Sequence, residues 1–90
     1  MDADAHDNYQ LFLLNDNYNM REYVSRVLMM VAYVSEDDAS SIMMQANWGG
    51  RALVGTWEKE VAEHIHEGLS QAGLRAGIMA LEERPESVED

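Results

Sequence analysis

The sequence predicts a single α+β domain in which the elements follow one another in the order β-α-α-β-α-β. Short apolar runs alternate with longer stretches in which apolar residues recur every three or four positions, the spacing of a helix. Capping and turn residues separate these stretches. Ninety residues, of which 47% are hydrophobic, provide one core without the help of disulfides or metals.

The first strand is predicted at residues 11–14, because a continuous apolar run of this length is typical of a central strand of a sheet. Asn15, Asp16 and Asn17 end this run. Residues of these types cap helices, and they also present oxygens to a cation or an amine, so both roles stay open. A first helix is predicted from residue 20 to near residue 32, where Val24 and Leu28 lie four positions apart.

The remaining helices and strands are marked by the residues at their ends. Ser35 stands before three acidic residues, which is the pattern of a helix N-cap and first turn. This second helix ends at Gly49-Gly50, since glycine accepts a positive φ. After this helix the sequence predicts a strand at residues 51–57 and a third helix from residue 58 to about residue 72, with Gly73 after it. A last strand is predicted at residues 76–81.

Acidic residues dominate the charge of the chain: 17 Asp and Glu against 6 Lys and Arg give a net charge of −11. We expect a flexible acidic tail at residues 1–8 and an acidic tail at residues 83–90, on either side of a core domain at residues 9–82. Such a charge favours a cationic partner and repels phosphate backbones, so we expect no nucleic-acid partner. No apolar run reaches the roughly 18 residues of a membrane span, so no membrane partner is expected either.

No metal or cofactor is predicted. The chain has no cysteine, which excludes thiolate ligands. Asn15, Asn17 and Asn19 alternate as at the start of a calcium loop. However, Met20 and Arg26 would occupy the loop positions that require Gly and a bidentate Glu.

The histidines and methionines favour structural roles. His64 and His66 lie two positions apart on the third helix, about 200° around it, so they cannot hold one metal ion and are predicted to be exposed. With the exception of Met43, the methionines are predicted mostly to fill gaps in the core, although one or two could line a pocket. The methionines interpreted in this way are Met20, Met29, Met30, Met44 and Met79.

Several segments, taken in order and at their spacing, carry a resemblance to a known family. They are Leu14-Asn15-Asp16-Asn17-Tyr18, Arg21-Glu22-Tyr23-Val24, Ile42-Met43, Gly50-Arg51-Ala52 and Glu60-Val61-Ala62-Glu63. In them the chain resembles the ClpS family, small adaptors that bind the N-terminal residue of a degradation substrate and deliver it to a Clp-type AAA+ unfoldase and its protease. The resemblance runs from residue 9 to about residue 81 and leans towards plastid or cyanobacterial-type members.

The resemblance implies the arrangement of the fold and the role of each site residue. We therefore predict three helices packed on a three-stranded antiparallel sheet. The implied roles are amine binding by Asn15, Asp16 and Asn47, the pocket rim at Asn17, Asn19 and Arg21, the apolar pocket wall at Val24, Met43 and Ala46, and contact with the unfoldase at Glu60. An α-amino group is mostly cationic at neutral pH, so oxygens around it form charge-assisted hydrogen bonds.

Four positions depart from the pattern of bacterial members. Asn17 stands in place of a second Asp and Asn47 in place of a His, which implies lower affinity and weaker pH dependence. Arg21 replaces a common Met at the pocket mouth, which implies a narrower set of first residues than Phe, Trp, Tyr and Leu, unless this arginine is simply solvated. Ile65 replaces a frequent Lys, so the identity of the unfoldase stays open.

The sequence therefore predicts a non-enzymatic adaptor for bulky hydrophobic N-terminal residues. Its expected partner is the N-terminal domain of a ClpA- or ClpC-like unfoldase, and it is expected to act as a monomer in a bacterial cytoplasm or a plastid stroma. One alternative is a protein-interaction domain that uses the face of the third helix without an amine pocket. The other is a small enzyme that relies on carboxylates such as Asp16 and Glu22.

Overall fold

The computed structural model of the chain describes residues 8–81. The elements are β1 (Asn8–Leu14), α1 (Arg21–Ala32), α2 (Glu36–Gly49), β2 (Arg51–Glu58), α3 (Lys59–Gln71) and β3 (Ala76–Ala80). This order confirms the predicted β-α-α-β-α-β fold. The predicted acidic tails lie outside the described residues, apart from Asn8, which begins β1.

The three strands form one antiparallel sheet in the order β2-β1-β3, so β1 is the central strand, as its apolar run predicts. Leu11 and Leu13 of β1 are buried in the core, whereas Phe12 between them is half-buried. The strand begins three residues before the predicted run. Pairing with β2 extends it, because Tyr9 lies opposite Trp57 and so gains a strand partner that its own sequence does not reveal.

A bulge interrupts the pairing of β1 with β2. Leu11 lies opposite Gly55 and Phe12 opposite Leu53, which leaves Val54 as the extra residue. The ring of Trp57 covers Gly55 so closely that an added Cβ would lie 2.5 Å from the ring. Glycine at this position therefore allows the tryptophan to pack flat against the strand.

Each helix contributes small and branched apolar residues to a common core with the sheet. The buried helical residues are Val24, Val27, Leu28 and Ala32 of α1, Ala39, Ile42 and Ala46 of α2, and Ala62, Ile65 and Leu69 of α3. The hydroxyl of Ser35 caps α2, since its Oγ accepts a hydrogen bond from the backbone N–H of Asp38 at 3.0 Å. Gly50 and Gly73, each with φ of 92°, follow α2 and α3 as predicted.

The interpretation of the methionines as core residues is wrong for four of them. Met20, Met30, Met44 and Met79 are exposed, and among the methionines within residues 8–81 only Met29 and Met43 pack against the core. Val24, Val27 and Leu28 set the phase of α1, and that phase turns Met30 towards solvent. Within the described residues, no helix combines the length and apolar character needed to cross a membrane.

Candidate functional site

A hollow of about 200 Å³ opens between the end of β1, the start of α1 and the C-terminal half of α2. We call it the β1–α1–α2 hollow. Its lining residues are Leu13, Leu14, Asn15, Asp16, Asn19, Arg21, Val24, Met43, Met44, Ala46 and Asn47. Nine residues are predicted to bind the amine or to form the pocket, and the fold brings eight of them together here. The ninth, Asn17, is exposed in the neighbouring loop and does not line the hollow.

Backbone hydrogen bonds hold the end of β1 on both sides. The N–H of Leu14 donates to the carbonyl of Arg75 at 2.9 Å, and the N–H of Asn15 donates to the carbonyl of Gly50 at 3.1 Å. Gly50 follows α2 and Arg75 precedes β3. Asn15 and the end of β1 are therefore fixed between two segments that are distant in the sequence.

The carboxylate of Asp16 organises the loop that follows β1, residues 15–20, which we call the site loop. Its Oδ1 accepts the backbone N–H groups of Tyr18 at 2.7 Å and Asn19 at 2.9 Å. Its Oδ2 accepts the side-chain amide of Asn19 at 2.7 Å. Asp16 thus takes the capping role that the sequence left open, but its carboxylate stabilises the turn of the loop. It does not cap α1, whose N-cap residue Met20 makes no side-chain cap hydrogen bond.

The surroundings of Asp16 favour its ionised form. Partial burial on its own raises the pKa of Asp16, but the hydrogen bonds from Asn19 and Tyr18 and the nearby charge of Arg75 together lower it below the ordinary value of 3.8. A carboxylate oxygen accepts two hydrogen bonds, so Oδ2 keeps one position for a further donor. Asp16 therefore provides a negative charge at neutral pH and an open acceptor beside the hollow.

Two further amide side chains, those of Asn15 and Asn47, line the hollow. Among residues 8–81, neither Asn15 nor Asn47 makes a side-chain hydrogen bond. Asn15 is half-buried at the end of β1 and Asn47 is exposed near the end of α2. Their oxygens are free to accept hydrogen bonds from a ligand.

The other side of the hollow is apolar. Val24 of α1 is 4% exposed and Ala46 of α2 is 2% exposed, and Met43 is half-buried beside them. The small side chain of Ala46 leaves space between the two helices. The hollow therefore joins a polar edge to an apolar wall, an arrangement that can hold a short polar group and an apolar side chain at once.

Arg21 lies at the mouth of the hollow, where α1 begins, and its side chain is exposed. Together with Met43 it also lines a second, more open hollow of about 290 Å³ on the outer surface of α1 and α2. The remaining lining residues there are Glu22, Ser25, Arg26, Met29, Glu36 and Ser40. Arg21 therefore forms a boundary between the two hollows.

Sequence reasoning missed several residues that shape the site. Leu13 and Leu14 line the hollow, and their position next to predicted site residues was the available signal; Met44 also lines it, in the pocket role that the sequence left open for one or two methionines. Arg75 gave no such signal. Its Nη1 donates to the carbonyl of Asn15 at 3.3 Å, a contact between residues 60 positions apart that no local pattern reveals.

The predicted residues outside the hollow lie on α3. Glu60 is exposed in the first turn of α3 and does not line the hollow. His64 is exposed as predicted, but His66 is half-buried and its Nε2 lies 3.1 Å from the carbonyl of Ala76, so its predicted exposure is wrong. Packing of α3 against β3 partly covers this histidine. Residues 8–81 contain no cluster of three His, Cys, Asp or Glu side chains able to hold a metal ion.

Comparison with protein families gives a match over most of the chain. The family model described as "ATP-dependent Clp protease adaptor protein ClpS" matches residues 4–77. The chain is 44% identical over 71 residues to the chloroplastic Clp protease adapter protein CLPS1 of Chlamydomonas reinhardtii. This match covers 78% of the chain but 44% of the relative.

Bacterial relatives match over a larger share of their own length. The chain is 39% identical over 70 residues to the adapter protein ClpS 2 of Agrobacterium fabrum, covering 78% of the chain and 68% of the relative. It is 41% identical over 71 residues to the ClpS adapter of Synechococcus elongatus, covering 78% and 75%. The chain thus spans less than half of the Chlamydomonas relative and about two thirds to three quarters of these two.

A solved structure shares the fold. The structure of Agrobacterium tumefaciens ClpS2 bound to L-phenylalaninamide superimposes with a TM-score of 0.72 and is 32% identical in sequence. The superposition covers 84% of the chain and 99% of that structure. The antiparallel sheet with three helices is therefore the fold of this relative as well.

Proposed function

The chain belongs to the ClpS family of ATP-dependent Clp protease adaptor proteins, and on that basis we propose that it binds the free N-terminal residue of substrate proteins and delivers them to a Clp-type AAA+ unfoldase and its protease. One observation carries the proposal. The β1–α1–α2 hollow combines the ionised carboxylate of Asp16 and two amides, which form no side-chain hydrogen bond within residues 8–81, with an apolar wall. An N-terminal residue presents a cationic amine and a side chain, which these two surfaces can bind.

The polar edge receives the α-amino group. This group has a pKa near 8, so it is a cation with three donors at neutral pH. Oδ2 of Asp16 and the amide oxygens of Asn15 and Asn47 are its acceptors. A hydrogen bond with a charged partner is about twice as strong as a neutral one, so these contacts distinguish an N-terminal residue from one within a chain.

The apolar wall receives the first side chain, between Val24, Met43 and Ala46. Burying a side chain the size of Leu or Phe contributes about 1.5–3 kcal/mol. The Agrobacterium tumefaciens relative is bound to L-phenylalaninamide, a compound that has the free amine, the aromatic side chain and the amide group of a first residue. We infer that Phe is among the first residues that this chain accepts, and that Arg21 at the mouth restricts the others.

Delivery uses a second surface. Glu60 lies exposed on α3, away from the hollow, so the N-terminal domain of a ClpA- or ClpC-like unfoldase can contact it while the hollow is occupied. We propose that the chain acts as a monomeric adaptor without catalysis or cofactor, in a bacterial cytoplasm or a plastid stroma. The relatives named above come from bacteria and, in one case, a chloroplast.

Calorimetric titration with L-phenylalaninamide and N-acetyl-L-phenylalaninamide at pH 6.5 tests the proposal. The acetylated compound has no cationic amine and leaves the polar edge unpaired, so it should bind at least about thirtyfold more weakly, a loss of roughly 2 kcal/mol. Peptides that begin with Phe, Leu, Tyr, Trp or Val then rank the side chains. Equal binding of the free and acetylated compounds would instead indicate a general interaction surface, and turnover without binding selectivity would indicate an enzyme.

A further inference from the structure

Asn19 connects the site loop to a distant part of the chain through its side-chain amide. Its backbone N–H lies 2.9 Å from Oδ1 of Asp16, and its side-chain amide lies 2.7 Å from Oδ2 of Asp16. The same amide nitrogen donates its second hydrogen to the carbonyl of Gly73 at 3.1 Å. One side chain therefore joins the carboxylate of the polar edge to the segment that connects α3 with β3.

This segment, residues 72–75, holds the site from several directions, and we call it the α3–β3 turn. The hydroxyl of Tyr23 donates to the carbonyl of Ala72 at 2.6 Å. The backbone and guanidinium of Arg75 bond to Leu14 and Asn15 at 2.9 Å and 3.3 Å. The turn is thus a fixed platform, and Asn19 is the residue that connects the platform to Asp16.

The geometry of the carboxylate makes this connection important for an incoming amine. Both acceptor positions of Oδ1 are occupied by backbone N–H groups of the site loop. An amine must therefore approach Oδ2, whose direction is fixed by the amide of Asn19. Without this amide only the two bonds at Oδ1 hold the carboxylate, and Oδ2 can swing over a wider range of the terminal torsion angle.

We propose that Asn19 is a positioning residue of the amine site, which orients Oδ2 of Asp16 towards the bound amine and anchors it to the α3–β3 turn. The inference rests on the function proposed above. Asn19 does not need to touch the ligand, because it acts through the carboxylate. The amide of Asn19 also stabilises the charged form of Asp16, and Arg75 of the α3–β3 turn is the charged group that acts on the same carboxylate.

Two substitutions and one matched control test the proposal in the full chain. Asn19→Ala removes both side-chain bonds, and Asn19→Gln keeps an amide donor on a longer side chain. Tyr23→Phe removes one bond to the same turn without touching Asp16, so it controls for loosening of the turn. The measurements are the dissociation constants of L-phenylalaninamide and its N-acetyl form, the thermal midpoint, and the pH at which binding is lost on acidification.

Asn19→Ala should weaken binding of L-phenylalaninamide about tenfold, the loss expected for one charge-assisted hydrogen bond, and should leave the weak binding of the acetylated compound unchanged. Its binding should be lost at a higher pH than in the wild type, because the pKa of Asp16 rises without the amide. Asn19→Gln should restore part of the affinity. Tyr23→Phe should bind within about twofold of the wild type at a similar loss of thermal stability.

Equal binding by the wild type and both Asn19 variants would overturn the positioning role. An equal loss of affinity in Tyr23→Phe and Asn19→Ala would also overturn it, since loosening of the turn would then explain both results. Failure of the wild type to bind L-phenylalaninamide would overturn the proposed function instead. If Asn19→Ala does not fold, Asn19→Gln and the pH profile still decide between the outcomes.

Discussion

The two sides of the β1–α1–α2 hollow are held in place by different kinds of interaction. The apolar wall consists of helical residues such as Val24 and Ala46, whose positions follow from packing of α1 and α2 on the sheet. The polar edge lies on a loop whose shape depends on hydrogen bonds to Gly50, Gly73 and Arg75, from distant parts of the chain. The proposed recognition of the amine and the proposed recognition of the side chain should therefore respond to different substitutions.

Substitutions of the neighbouring residues Asn15 and Asp16 should have the largest effect on binding and should differ in their effect on the stability of the fold. Asp16→Ala and Asn15→Ala should each weaken binding of L-phenylalaninamide, by about a hundredfold or more for Asp16 because a charged partner is lost. Only Asp16→Ala should also destabilise the fold, by about 1–2 kcal/mol, because it leaves the N–H groups of Tyr18 and Asn19 without their acceptor. Titration calorimetry and denaturant unfolding measure the two effects. Equal stability of the two variants would contradict the structural role of Asp16.

Filling the apolar wall should have the next largest effect. Ala46→Leu places a larger side chain in the space between Val24 and Met43, so L-phenylalaninamide should bind about thirtyfold more weakly. Gln45→Leu is the matched control, since residue 45 is exposed on the same helix and does not line the hollow. Titration calorimetry of both variants with L-phenylalaninamide measures the change. If Gln45→Leu weakened binding equally, the hollow would not be the pocket for the first side chain.

The pH dependence of binding should report the polar edge alone. The pKa of Asp16 lies below its ordinary value, so the carboxylate stays charged from neutral pH down to the ordinary carboxyl range, and affinity for a Phe peptide should be nearly constant from about pH 5 to 7. Affinity should fall below that range as Asp16 is protonated, and above about pH 8 as the amine loses its proton. Fluorescence anisotropy across this range measures the profile.

The lowered pKa of Asp16 also predicts how the free energy of unfolding depends on pH. The folded pKa of Asp16 is lower than the unfolded pKa, so its contribution to stability is present above the unfolded value and is lost as the pH falls through the folded value. Asp16→Ala should lack this part of the acid destabilisation. A binding profile with a midpoint between pH 6 and 7 would show that a group other than Asp16 and the amine controls binding.

Substitution at the mouth should change the ranking of first residues more than the affinity for any one of them. Arg21→Met removes a charge and places a shorter side chain between the two hollows. The affinity for peptides that begin with Trp or Leu should therefore rise about threefold relative to the affinity for peptides that begin with Phe. Arg26→Met on the same helix lines only the outer hollow and is the control. An unchanged ranking would mean that Arg21 is simply solvated.

The smallest effect should come from Asn17. This residue is exposed and does not line the hollow, so Asn17→Asp should change the affinity for L-phenylalaninamide by less than about twofold at physiological salt. Asn47→Asp is the matched substitution at the hollow, and it should strengthen binding of the amine several-fold. Equal effects at the two positions would show that net charge, rather than position, controls binding.

The difference between the two sides also explains what the sequence could predict. Val24, Met43 and Ala46 follow from helical spacing and from the family resemblance, because a period of 3.6 residues defines which positions face inward. The capping chemistry of Ser35 and of the glycines after α2 and α3 is equally local. These features of the fold and of the apolar wall depend on residues that are close in the chain.

The geometry of the polar edge could not be predicted in the same way. The residue types of Asn15 and Asp16 allowed both capping and ligand binding, and only the folded chain shows that Oδ1 of Asp16 is occupied while Oδ2 keeps an open position. The anchor at Arg75 depends on a contact across 60 residues. Likewise, the contact of His66 with Ala76 depends on the packing of α3 against β3, which the local sequence does not reveal.

Mapping of the binding site by ¹H–¹⁵N NMR is the decisive test of amine recognition in the hollow. On addition of L-phenylalaninamide, the amide signals of residues 15–19 and 43–47 should shift, and N-acetyl-L-phenylalaninamide at the same concentration should leave residues 15–19 unmoved. Signals of α3 around Glu60 should stay in place with both compounds. Shifts confined to α3, or identical shifts of the site loop with both compounds, would contradict recognition of the free amine in the β1–α1–α2 hollow.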